Sequence, residues 1–166
     1  MIFLFQMNYL SYTIFLSMSK VLEIAISKDS KGQMTNVKDV ETFAGKGLLG
    51  DRHFRENNEK HCQITLIEIE NINYYNKISE TSILPIQFRR NIITKGIRLN
   101  ELIGSEFLIG KVRVKGHDLC RPCKYLQESL EQKNLVKEML RRAGLRCEIV
   151  TSGKIFVGDE IKVSKS

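Results

Sequence analysis

Phe107-Leu108-Ile109-Gly110-Lys111-Val112-Arg113-Val114-Lys115-Gly116 is the stretch on which the fold reading turns. Residues 107–109 are apolar, residues 112–115 alternate valine with a basic residue, and glycines follow each run. Alternation with a period of two is the mark of a half-buried strand, and the two glycines punctuate it, so the stretch predicts two short strands joined by a tight turn. Working outward, strand-favouring runs recur at short intervals. Residues 21–27 open the series with Val21, Leu22, Ile24 and Ile26, a second extended region runs through Val37 and Val40 into Phe43, and residues 63–67 and 84–94 continue it. Residues 147–150 and 155–163 close it, turned at Ser152-Gly153 and Gly158-Asp159.

Helical periodicity is rarer. Residues 68–78 carry Ile69, Ile72 and Tyr75 near one face, and residues 126–143 repeat Leu126, Leu130, Val136, Met139, Leu140 and Ala143 at three- and four-residue intervals. The register slips at Asn134, and Gly144 supplies a C-terminal stop after Arg141 and Arg142. Short strands at close spacing with few helices predict a mainly β fold, a barrel or sandwich with a few peripheral helices, rather than a parallel α/β sheet.

The bulk numbers set bounds. A chain of 166 residues fits one domain with one continuous core, placed here at residues 20–165. Residues 1–19 are anomalous, because the first charge is Lys20 and residues 1–17 are mostly apolar or aromatic. That segment has no basic stretch before its apolar run and is short for a membrane span, so it reads as an apolar extension ahead of a natural start at Met18, with a membrane-surface tail as the alternative. Four cysteines are too few for a disulfide scaffold in a chain this long, which predicts free thiols and a cytoplasmic protein. The net charge of +7 favours an anionic partner, such as a phosphate or cofactor pyrophosphate; no nucleic-acid motif accompanies it, so nucleic acid is not an expected partner.

Three polar groups carry candidate chemistry. Gly50-Asp51-Arg52-His53 reads as a common Gly-Asp turn or as a loop presenting a guanidinium and an imidazole to an oxyanion. Arg89-Arg90-Asn91 lies in the apolar run 84–94; as strand neighbours the two arginines would face opposite ways, and Asn91 offers an amide to a heterocycle. Cys120-Arg121-Pro122-Cys123 admits three readings. Cys-x-Pro-Cys before a helix resembles the thioredoxin dithiol, but that motif belongs beside a βαβ unit and this one follows a glycine-split meander. His117, Cys120 and Cys123 have zinc-ligand spacing and want a fourth donor, for which Cys147 is the candidate, although a small buried hydrophobe is its commoner role. One thiolate alone suits molybdenum or a persulfide. Cys62, at the start of an apolar strand, reads as core packing.

The order Gly47-Leu48-Leu49-Gly50-Asp51-Arg52-His53, Gln63-Ile64-Thr65-Leu66-Ile67, Arg90-Asn91-Ile92 and Gly96-Ile97-Arg98-Leu99-Asn100 resembles the MOSC family, the molybdenum-cofactor sulfurase C-terminal domain. Leu102-Ile103-Gly104, Leu119-Cys120-Arg121-Pro122-Cys123, Gly144-Leu145-Arg146 and Gly158-Asp159 continue the match to residue 163. The resemblance implies a β-barrel and a molybdopterin-type cofactor with a dithiolene and a phosphate. By motif position Cys123 matches the cysteine that ligates molybdenum in the amidoxime-reducing relatives, and Cys120 the thiol before it. It therefore implies Cys123 as metal ligand and catalytic residue, with Arg52, His53, Arg90, Asn91 and Cys120 around the cofactor. Two functions fit: an oxidoreductase component reducing N-hydroxylated compounds, or a carrier holding a Cys123 persulfide for delivery to a cofactor or cluster. Either needs a partner, an electron-transfer protein or a cysteine desulfurase.

Overall fold

The computed structural model describes residues 18–163, so the expected apolar extension over residues 1–17 lies outside the described residues. Four strands open the chain, β1 (Lys20–Ile26), β2 (Thr35–Val37), β3 (Asp39–Phe43) and β4 (Gly47–Leu48). Next come β5 (Ile64–Glu68), helix α1 (Ile69–Ile78), β6 (Ile92–Lys95), β7 (Glu106–Ile109) and β8 (Val112–Leu119). Helices α2 (Lys124–Ser129) and α3 (Leu135–Glu138) precede β9 (Leu145–Ile149), β10 (Gly153–Phe156) and β11 (Ile161–Val163). The glycine-split stretch is the β7–β8 hairpin, with Ile109 opposite Val112.

Eight strands form one sheet in the order β11-β7-β8-β9-β5-β6-β1-β2, and β10-β3-β4 form a second. The large sheet curls until the start of β11 meets the start of β1. The Val21 N–H donates to the Asp159 carbonyl at 2.9 Å, Gly158 N–H returns a bond to the Val21 carbonyl at 2.9 Å, and Ile161 N–H reaches Ser19 at 2.8 Å. Closure removes the exposed edges that an open sheet would present, and it makes the fold the expected mainly β barrel. Within the large sheet β5 and β6 run parallel, which requires a crossover, and α1 supplies it.

Side-chain alternation sorts the core into two compartments. Leu145, Cys147 and Ile149 of β9 are all but fully buried inside the barrel with Ile64, Leu66, Ile92, Val112 and Val114. Ile67 and Ile93, one residue on from Leu66 and Ile92, face outward into a second cluster with Ile72, Tyr75, Phe88, Leu126, Leu135 and Met139. At Leu66-Ile67 and Ile92-Ile93, strands β5 and β6 thus bury apolar side chains on both faces. Each such side chain contributes about 1.5–3 kcal/mol by leaving water, so a charge at Ile67 or Ile93 would detach the helices from the wall.

Two expected elements are different in the structure. The single helix over residues 126–143 is α2 and α3, parted at the Asn134 slip. Glu131 takes a left-handed φ of 53°, and the buried Tyr75 hydroxyl lies 2.9 Å from both Gln132 Oε1 and Asn134 Oδ1, so these amides turn inward instead of continuing a helix. The expected strand over residues 84–94 begins only at Ile92. Pro85 starts a 3₁₀ turn to Phe88, and Arg89 has a φ of 61° that breaks the alternation on which opposite-facing arginines depended.

Candidate functional site

Four segments converge on the outer face of the barrel wall. The first is the Gly50–His53 loop, organised by a buried carboxylate. Asp51 Oδ1 accepts from Ser27 N–H at 3.1 Å and Asn91 Nδ2 at 3.3 Å, and its Oδ2 accepts from His53 N–H at 3.1 Å. Arg52 N–H donates to the Ser27 carbonyl at 2.6 Å, so the loop is stitched to the end of β1 and its Arg52 and His53 side chains are presented as a pair. Burial, then the nearby Arg89 and Arg90, pull the Arg52 pKa down against the opposing pull of Asp51. Burial first, then Arg52 and more distant arginines, pull the His53 imidazole below its usual range despite Asp51, so it is neutral at pH 7.

The second segment is Arg89-Arg90-Asn91. The left-handed Arg89 aims its guanidinium at the Gly32 and Ser30 carbonyls, at 2.7 and 2.9 Å, pinning the β1–β2 loop. Arg90 Nε donates to the Ala143 carbonyl at 2.8 Å. Asn91 corrects the expectation of a ring-binding amide. It is buried, its Nδ2 is spent on the Ala25 carbonyl and Asp51, and its Oδ1 accepts from the backbone N–H and hydroxyl of Thr65. With every polar atom engaged inside the protein, Asn91 positions Asp51 and has nothing to offer a ligand.

The third segment carries the thiols. Cys120 is tied down by its N–H to the Gly144 carbonyl at 2.8 Å, and Gly144 is required there because its φ is +108° and a Cβ would collide with the Leu66 carbonyl. Burial pushes the Cys120 thiol up, only partly offset by Arg90 and Arg146. Cys123 is exposed, and its Sγ accepts from the Leu126 N–H at 3.5 Å as the cap of α2. The two cysteines are therefore unequal, one a buried thiol and the other an accessible one. The fourth segment is the wall itself, where Thr65 of β5 faces Arg146 of β9 across the antiparallel pair.

Together these residues line a pocket of about 270 Å³. Five of its lining residues are arginines, Arg52, Arg89, Arg90, Arg121 and Arg146, and none is a carboxylate. Three thiols share it, Cys62, Cys120 and Cys123, with His53, His61 and Thr65. Of the expected site residues, Arg52, His53, Arg90, Cys120 and Cys123 meet here, and Asn91 stands behind them. Sequence reasoning missed Arg89, Arg121, Arg146 and His61 as pocket residues, and it placed Cys62 in the core. Cys62 instead ends a 3₁₀ turn, Lys60–Cys62, and is only partly buried. For Arg146 a signal existed: in Leu145-Arg146-Cys147-Glu148-Ile149 the charges alternate with core residues. The His117, Cys120, Cys123 and Cys147 quartet is not assembled. Cys147 lies inside the barrel, Cys123 outside it, and His117 Nε2 meets Glu148 Oε2 at 2.9 Å.

A larger cavity, about 740 Å³, lies elsewhere, lined by Glu68, Glu70 and Glu101 against Arg98, Arg141 and Arg142. Its charges cancel and it holds no thiol. The smaller pocket is the better candidate site because five arginines line it with a single ion pair among them, Arg52 to Asp51, and such a surplus of positive charge suits an anionic ligand.

The fold and the pocket define a β-barrel protein with a thiol-bearing, arginine-lined pocket on its outer wall. The MOSC domain model matches residues 37–162, and the chain belongs to the MOSC domain family. Among solved structures it is similar to the YuaD protein of Bacillus subtilis, with a TM-score of 0.75 and 22% identity over 89% of this chain and 97% of that one. YiiM from Geobacillus stearothermophilus is similar over 89% of this chain and 75% of that one, with a TM-score of 0.70 and 15% identity. For YiiM from Escherichia coli the TM-score is 0.67, with 15% identity, over 89% and 70% of the two chains. Likeness at these identities establishes the shared fold. No curated protein matches the sequence.

Proposed function

We propose that the pocket holds a molybdenum cofactor, with Cys123 as the protein ligand to the metal, and that the protein is an oxidoreductase component reducing N-hydroxylated compounds. The observation that carries this reading is the set of five arginines without a carboxylate around one exposed thiol. The donor set fits the group: a soft sulfur for molybdenum, and planar guanidinium forks for the phosphate of the pterin. When bound, the cofactor supplies two-electron chemistry that no side chain here provides.

The chain's own residues do the rest. Arg52, Arg90 and Arg146 hold the anionic end, with Arg52 and Arg90 fixed by contacts to Asp51 and to the Ala143 carbonyl. His53, neutral at pH 7, offers one N–H donor and one acceptor nitrogen without adding a sixth positive charge. Cys120, its thiol pKa pushed up by burial, keeps its proton on the wall of the same pocket. Electrons come from a partner protein. Four free cysteines suit a reducing cytoplasm, and among the described residues no helix is long and apolar enough to cross a membrane.

A second reading rests on the three thiols in one pocket: Cys123 carries a persulfide, supplied by a desulfurase, and the pocket thiols pass the sulfur on. Elemental analysis of protein from a cofactor-competent, molybdenum-replete host separates the two. Stoichiometric molybdenum that disappears in Cys123→Ala is the expected result. Absence of molybdenum, with cyanide-labile sulfur on Cys123, would replace the first reading by the second.

A further inference from the structure

Glu59, His61 and Cys62 bring three chemically different donors together at the mouth of the pocket. Glu59 Oε2 lies 3.3 Å from His61 Nε2 and 3.8 Å from Cys62 Sγ, and all three donor atoms fall within 4.8 Å of one another. Among the described residues no other group of three potential ligands converges in this way. Tetrahedral zinc bonds of about 2.1 Å to nitrogen and oxygen and about 2.3 Å to sulfur place a ligand oxygen about 3.4 Å from the nitrogen and about 3.6 Å from the sulfur. The observed separations match these to within a few tenths of an ångström.

The turn that presents the donors is fixed from both ends. Asn58 is buried, and its Nδ2 donates to the Lys46 carbonyl at 2.9 Å and to the His53 carbonyl at 2.6 Å. Gln63 is also buried, donating to the Asn58 carbonyl at 3.2 Å and accepting from Ile149 N–H at 2.9 Å. Cys62 N–H closes the turn on the Glu59 carbonyl at 2.9 Å. Lys60, the one residue of the turn without a ligand atom for a cation, swings away to Glu148 at 3.8 Å. Two buried amides thus hold the backbone of an exposed turn in one conformation, which lowers the ordering cost of binding a metal.

We propose that Glu59, His61 and Cys62 form a site for one zinc-class divalent cation, separate from the Cys123 ligand position, with its fourth coordination position open to the arginine-lined pocket. Imidazole, thiolate and carboxylate together are borderline-soft and suit zinc over magnesium or calcium. Binding exchanges the Cys62 thiol proton, released to solvent, for a sulfur–metal bond, with no change of oxidation state. His61 and Cys62 also line the pocket, so a water or anion on the open position would share it with Arg146. The site stands whether or not the pocket takes a molybdenum cofactor.

Cobalt(II) titration of the reduced, metal-free protein tests it. One equivalent is expected to bind and to give a thiolate-to-cobalt charge-transfer band, retained in Cys123→Ala and Cys120→Ala. In Cys62→Ser the band should vanish. In His61→Ala affinity should fall about 100-fold or more, at the top of the 10–100-fold range that even outer ligand contacts command. Glu59→Gln, a surface change, should weaken binding with an unchanged far-ultraviolet circular dichroism spectrum, which answers any objection that Cys62→Ser misfolds. A charge-transfer band that survives Cys62→Ser, or that is lost in Cys123→Ala instead, or no binding at all, would overturn the proposal.

Discussion

Two polar hollows of this molecule, the cavity beside α1 and the pocket at the cysteines, teach opposite lessons about what makes a site. The cavity beside α1 is nearly three times the volume of the pocket at the cysteines, yet it carries three glutamates and three arginines, so its formal charges balance. The smaller pocket is lined by five arginines, and the one ion pair among them is that of Arg52 with the buried Asp51. Uncompensated charge, more than volume, marks a place where binding energy is stored.

The largest effect that would break this contrast is loss of the carboxylate organising the pocket. Asp51→Ala leaves the Ser27 and His53 N–H groups and Asn91 without their acceptor, and should cost about 3 kcal/mol or more in urea unfolding. Glu101→Ala at the rim of the cavity, where an exposed pair with Arg98 is all that is lost, should stay within about 0.5 kcal/mol. Equal losses would mean that the two regions are held together in the same way.

Next in size is ligand affinity. Arg121→Gln removes one pocket cation, and should weaken inorganic pyrophosphate binding by about fivefold, on the order of 1 kcal/mol, by isothermal titration calorimetry. Arg141→Gln at the cavity should leave the same affinity unchanged. Pyrophosphate binding that responds to Arg141 and not to Arg121 would move the anion site to the larger hollow.

The subtlest contrast is in pH dependence, where the two regions push in opposite directions. His53 has its folded-state pKa lowered, chiefly by burial, so the unfolded chain binds the proton more readily. Stability is unaffected above the ordinary value of 6.5 and falls as pH drops through the window below it. Glu68, at the cavity, has its pKa raised by burial against three hydrogen bonds. Its unfolded form ionises first, so stability falls as pH rises from 4.5 through the folded value. His53→Gln should remove the first slope and Glu68→Gln the second, read from unfolding midpoints across pH 4 to 8. A slope that persists in its own variant would assign that titration to another group.

Much of this was legible in the chain, for identifiable reasons. The β7–β8 hairpin is local, set by alternation and by Gly110, and needs no distant contact to declare itself. Arg52, His53, Arg90, Cys120 and Cys123 stand in short motifs whose order along the chain carries the family resemblance. The helix over residues 126–143 was misread because Gln132 and Asn134 are turned inward by Tyr75, which is 57 and 59 residues away. Arg89 was misread because a left-handed backbone is invisible to a strand pattern. Cys62 was misread because its exposure depends on Asn58 and Gln63 holding the turn before β5 clear of the core.

By itself, then, the sequence determined the strand-rich architecture, the close spacing of Cys120 and Cys123 and the basic character of the chain. Periodicity and charge are properties of the chain, readable one segment at a time. Tertiary structure alone decided which arginines share a pocket, that Asn91 serves Asp51 and not a ligand, and that Cys62 joins Glu59 and His61 at the pocket mouth. Those outcomes follow from barrel closure, which brings the outer faces of β5 and β9 under loops from distant parts of the chain, and no local pattern encodes where such loops meet.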